Sequence, residues 1–87
     1  MNKTINTQVK LPNPKTNKEW TAYLAVSYAE GFEEGENAKE EEIIEAWAVI
    51  IKTKIYLSLQ GYFGRTAMEY IKQGIIKESG AINWTKS

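Results

Sequence analysis

Residues 3–11 alternate, with Ile5, Thr7, Val9 and Leu11 on one side and polar residues between them. That is the period of an extended strand or arm. Pro12-Asn13-Pro14 ends the run, because proline lacks an amide donor and pushes its predecessor towards extended geometry. Over residues 19–28 two periods compete. Thr16 and Glu19 have capping-box spacing, and Trp20, Tyr23, Leu24, Ser27 and Tyr28 then recur at helical intervals as far as Gly31, a natural stop. Yet Trp20, Ala22, Leu24, Val26 and Tyr28 also alternate, so the segment fits a strand paired with residues 4–11 across the proline turn. The capping box favours the helix.

The second half is less ambiguous. Asn37 and Glu40 form another capping box, and from Ala38 the spacing predicts a long helix reaching about residue 60. Ile44, Trp47, Ile51, Ile55 and Leu59 make one stripe, and Ile43, Ile50 and Leu57 make a second. A helix apolar over more than half its circumference belongs at the centre of a fold or in a dimer interface. Thr53-Lys54 is a candidate break and Gly61 the predicted end. A short turn over 61–65 leads to a third helix over about 65–73, packed by Ala67, Met68, Tyr70 and Ile71 and capped by Gly74. Ile75-Ile76 and Ala81-Ile82 flank Glu78-Ser79-Gly80 and fit a small hairpin. The predicted fold is mainly α: a small helical domain with an N-terminal extended segment or strand and a C-terminal β-hairpin. Residues 1–87 read as one domain, with an extended arm at 1–15, a helical core at 16–82 and a tail at 83–87.

Composition narrows the chemistry. The chain has 87 residues, is 43% hydrophobic and 25% charged, and contains no cysteine or histidine; its 11 acidic residues are all glutamate. Thiol chemistry, disulfides, the usual zinc sites, imidazole catalysis and aspartate motifs are therefore unavailable. A chain of this length buries about 64% of its unfolded surface, a thin core that self-association would extend. No spacing singles out a nucleophile, and the glutamates lie mostly in one polar run with no apolar pocket to raise a pKa. The expectation is a binding protein without catalytic residues, cofactor or metal. Residues 1–10 lack an apolar signal core, and the densest apolar stretch, 46–51, is far short of the roughly 20 residues of a membrane span. A soluble cytoplasmic protein follows as the expectation.

Net charge is zero, but it is segregated. Residues 1–29 carry +3, residues 30–45 carry −7, and residues 46–87 carry +4. Glu40, Glu41, Glu42 and Glu45 sit in the acidic block. They read either as a solvated helix start at the favourable end of the dipole or as a contact face that imitates nucleic-acid phosphate towards a basic partner. The second candidate is the turn Tyr62-Phe63-Gly64-Arg65-Thr66. Two glycines permit tight bends, and Arg65 and Thr66 at a helix N-terminus suit an anion. An exposed Tyr62–Phe63 pair beside an arginine suits a protein contact. The spacing matches neither a phosphate-binding Walker loop nor a dinucleotide fingerprint.

Residues 30–82 resemble an uncharacterised family of short bacteriophage proteins. The pieces that carry the resemblance are Glu30-Gly31 with Gly35-Glu36, Glu41-Glu42-Ile43-Ile44-Glu45-Ala46-Trp47, Leu59-Gln60-Gly61-Tyr62-Phe63-Gly64-Arg65-Thr66-Ala67 and Ile71-Lys72-Gln73-Gly74-Ile75-Ile76. Many relatives have glycine where this chain has Lys54, which predicts a less broken central helix here. The first 29 residues have no counterpart and read as an added arm. The resemblance implies a phage or prophage origin and carries no activity with it.

The favoured expectation is a phage-encoded accessory protein in the cytoplasm of the infected bacterium. It would bind a host protein stoichiometrically, counteract a defence system, and self-associate into a homo-oligomer through the central helix. Two alternatives stand beside it. A helix, a turn, a second helix and a hairpin mimic a winged helix-turn-helix with Arg65, Lys72 and Lys77 near DNA, but a neutral chain lacks the basic footprint of nucleic-acid binders. The other alternative is a protein that sequesters a small anionic nucleotide.

Overall fold

The computed structural model describes residues 7–31 and 37–85. Of the positions singled out above, Ile5, Gly35 and Glu36 lie outside them, as does part of the acidic block 30–45. The elements run β1 (Gln8–Val9), β2 (Trp20–Thr21), α1 (Ala22–Glu30), α2 (Glu40–Thr53), a 3₁₀ turn (Ile55–Ser58) and α3 (Gly61–Lys72). The protein is mainly α-helical, with one short two-stranded sheet.

Both readings of residues 19–28 are realised in sequence. Trp20 and Thr21 pair antiparallel with Val9 and Gln8, and α1 begins at the next residue. Thr21 caps it: its backbone is extended, and its Oγ1 accepts the Leu24 amide at 3.1 Å, which satisfies one of the orphan donors of the first turn. The Thr16–Glu19 box is not used, because Thr16 turns to a tertiary partner described below. Gly31, at φ 77°, closes α1. The Asn37–Glu40 box is likewise displaced: α2 starts at Glu40 after Lys39, whose amide donates to the Glu42 carboxylate at 2.9 Å.

α2 stops seven residues before the predicted end. Thr53 Oγ1 donates back to the Val49 carbonyl at 2.8 Å, and Lys54 takes the left-handed conformation at φ 60°. Such a conformation crowds any Cβ, and it falls at Thr53-Lys54, the candidate break in the sequence. The central helix is therefore broken at Lys54, against the expectation of a less broken helix. Gly61 does not end α2; it opens α3, with Gln60 as N-cap. Past Lys72, Gly74 at φ 76° reverses the chain. Ile76 and Ile82 then form an antiparallel bridge, the observed remnant of the predicted hairpin. Gly80 is required in its turn: its φ is 92°, and an added Cβ would stand 3.0 Å from the Lys52 Cβ on α2.

Every residue of α2 from 44 to 51 is buried. Trp47 lies at the centre, with Phe63 and Tyr70 of α3 at 5.8 Å and Tyr62 edge-on at 6.4 Å between ring centroids. On the other side α1 packs along α2, and Trp20 meets Tyr28 edge-on at 5.0 Å. The apolar circumference of α2 is therefore covered by its own chain. Self-association through this helix, expected from its two stripes, has no open apolar face to use.

Candidate functional site

The four glutamates expected to share one face are divided by the structure. Glu45 is fully buried. Its carboxylate accepts the Lys15 amide at 2.5 Å, the Thr16 amide at 2.7 Å, the Thr16 hydroxyl at 2.6 Å and the Trp20 indole N–H at 2.9 Å. It is removed from any contact surface and instead fastens residues 15–20 to α2. A carboxylate buried without such donors would cost several kcal/mol; here, four donors fill its lone pairs. Asn13 makes the matching clasp at the other end of the strap. Its side chain donates to the Ile82 carbonyl at 2.6 Å and accepts the Ile82 amide at 2.9 Å, while the Trp84 indole donates to its carbonyl at 2.8 Å. The extended arm is thus a strap that ties α2 to the segment around Ile82 and Trp84.

Glu42 is also occupied. Besides capping Lys39, it pairs with Lys18 at 3.3 Å. The Lys39 amide, and with it the Lys18 ammonium, holds the Glu42 carboxyl below the ordinary glutamate range. Glu40 and Glu41 are exposed and make no ion pair among the described residues. They border a shallow cleft of about 150 Å³ with Lys15, Ile44 and Trp84. The Lys15 ammonium rests over the Trp84 ring, 5.0 Å from its centroid, rather than on a carboxylate. Burial pushes the Tyr70 phenol up, and the Glu40 charge adds to that shift.

The second predicted site is not a turn. Tyr62, Phe63, Gly64, Arg65 and Thr66 all lie within the first half of α3. Arg65 and Thr66 consequently sit in its second turn, not at the N-terminus that an anion site requires. Phe63 is buried against Trp47, so the expected exposed aromatic pair reduces to Tyr62, which is 41% exposed. Thr66 is half-buried.

What the sequence reading missed lies beside these residues. Leu57 is 73% exposed and Met68 51% exposed. They border an open groove of about 740 Å³ between the 3₁₀ turn and α3, together with Tyr56, Gly64, Arg65 and Glu69. The signal was the break at Lys54. In a continuous helix, Leu57 falls on a buried stripe; once the helix changes phase at 54, Leu57 leaves it. No helix of the described residues is long and apolar enough to cross a membrane.

The fold and these surfaces define a small, mainly helical domain whose core helix is strapped by an extended N-terminal segment. Residues 25–87 match the model of a domain of unknown function, DUF7417, and the chain belongs to that family. The match starts within α1 and leaves out β1, β2 and the strap. Neither a curated protein nor a solved structure matches the chain.

Proposed function

We propose that this is a phage-encoded accessory protein that binds a host macromolecule stoichiometrically in the cytoplasm of the infected bacterium and blocks a defence system by occluding one of its surfaces. Catalysis and a cofactor play no part in this reading. The resemblance of residues 30–82 to short bacteriophage proteins supports the phage origin. The observation that carries the contact face is the acidic edge Glu40–Glu41. Both carboxylates face solvent without an ion-pair partner among the described residues, while their neighbours Glu42 and Glu45 are consumed inside the fold. Exposed acids of one sign steer a basic groove towards them and bind it in a salt-dependent way.

The test is affinity capture from bacterial lysate with the tagged protein, with and without nuclease, beside the Glu40→Lys/Glu41→Lys variant. One dominant host protein should survive nuclease and be lost from the variant and at high salt. A variant that captures the same protein equally well removes the acidic edge as the contact. Enrichment only without nuclease moves the reading to DNA, with the exposed Arg65 and Lys72 of α3 as its contacts. An empty capture makes a small anionic nucleotide the next ligand to screen, by the rise in melting temperature it would cause.

A further inference from the structure

The groove between the 3₁₀ turn and α3 has the composition of an interface and no cover within the described chain. Leu57 and Met68 supply apolar area at its edges. Gly64 lies between them, and a Cβ there would meet only the Tyr56 ring, at 3.9 Å. The flank of α3 that faces the 3₁₀ turn is therefore low at Gly64, which deepens the groove beside Tyr56.

The charges on this face decide what fits. Arg65 and Glu69 stand one helical turn apart and both line the groove. They make no ion pair with each other, which accords with the less favourable order of a cation N-terminal to its acid. Glu69 accepts from the Gln73 amide at 2.8 Å, and Arg65 reaches back along the helix, with Nη1 3.3 Å from where a Gly61 Cβ would stand. A face carrying one positive and one negative group at this spacing is complementary to itself when reversed.

We infer that this groove is closed by a second copy of the chain, in a two-fold dimer whose α3 helices run antiparallel. A two-fold axis crossing α3 between Arg65 and Glu69 sets each guanidinium against the partner's Glu69. It brings the two Met68 side chains together near the axis and seats each Leu57 in the opposite groove. The interface is isologous, so the same four residues serve both sides. It differs from the association expected through α2, whose apolar face is covered. It does not depend on the host contact, because Glu40 and Glu41 are not part of the groove.

A twelve-residue helix is about 18 Å long, so this face buries less than the roughly 800 Å² per partner of a standard interface. The dimer is accordingly concentration-dependent, forming in the range of about 10 µM to about 1 mM. Sedimentation equilibrium of the purified full chain across that range is the test. The wild type should move from monomer to dimer. Arg65→Glu and Glu69→Arg should each weaken association about tenfold or more, and the double variant, which restores opposite charges, should recover it. Leu57→Glu, at an exposed position, should abolish it while the circular dichroism stays unchanged. A wild type that is monomeric throughout overturns the proposal, as does a double variant no better than either single one. A monomeric wild type whose captured host partner is lost with Leu57→Glu assigns the groove to that partner and overturns self-association.

Discussion

α2 and α3 are of similar length and share one aromatic cluster, yet they meet solvent very differently. α2 buries eight consecutive residues; α3 buries only Phe63 and Ala67 of its twelve. The difference is coverage. α1 packs along one side of α2, the strap and the C-terminal bridge cross it, and α3 closes the face around Trp47. α3 is supported on that one face, and its outer face carries Leu57's groove, Met68 and the Arg65–Glu69 pair. One helix holds the molecule together, while the other presents a surface. Changes on α2 should therefore read out in stability, and changes on the outer face of α3 in association.

The largest effect expected from that contrast is Trp47→Ala. It removes the ring that three aromatics of α3 contact and should cost about 3–5 kcal/mol in a urea unfolding experiment. Glu45→Ala comes next. It strands the Trp20 and Thr16 donors and two strap amides, and a loss of about 3 kcal/mol is expected. Glu45→Gln should recover part of it, since its carbonyl still accepts. Amide exchange at Lys15 and Thr16 is the sharper readout: unchanged protection in Glu45→Ala would show that the strap is held by something else.

Lys54→Gly probes the junction between the two helices and should stabilise. Relief of left-handed crowding is worth about 1 kcal/mol, and the added freedom of glycine in the unfolded chain takes back part of it. The gain should show as a higher urea midpoint.

Glu42→Gln tests the start of α2 through pH. Its carboxyl titrates below the ordinary range in the folded protein, so its contribution is present at neutral pH and lost as the pH falls through the folded-state value. The melting temperature of Glu42→Gln should therefore lie below that of the wild type at neutral pH and converge with it in acid. Smallest of all, Leu57→Ser and Met68→Ser should each leave stability within about 0.5 kcal/mol of wild type, because both side chains are largely in water already. A loss as large as that of Trp47→Ala at either position would break the contrast between the helices.

Much of the architecture could be read from local pattern. The alternation at 7–11, the stop at Gly31, the apolar face of α2 and the reversal at Gly74 all rest on the properties of neighbouring residues. The boundaries were harder, for a physical reason: capping boxes compete with tertiary partners. Thr16 has the right spacing from Glu19 to open a helix, but four well-placed donors around Glu45 satisfy a buried carboxylate, and a cap is worth only about 1 kcal/mol. Gly61 and Gly64 suggested a turn because glycine permits tight bends; here, Gly61 is the first residue of α3 and a Cβ at Gly64 would meet the Tyr56 ring. The binding candidates were divided for the same reason. Nothing local distinguishes Glu45 from Glu41, while the fold buries one and exposes the other.

The sequence by itself determined the mainly helical class, the absence of thiol and imidazole chemistry, the acidic block and an apolar helix too wide to stand alone, since these follow from composition and period. Only the tertiary structure decided that Glu45 anchors the strap, that Lys54 turns the chain, and that the open apolar surface belongs to α3. Those outcomes depend on which donors, rings and backbones meet across tens of residues, and no local spacing carries that information.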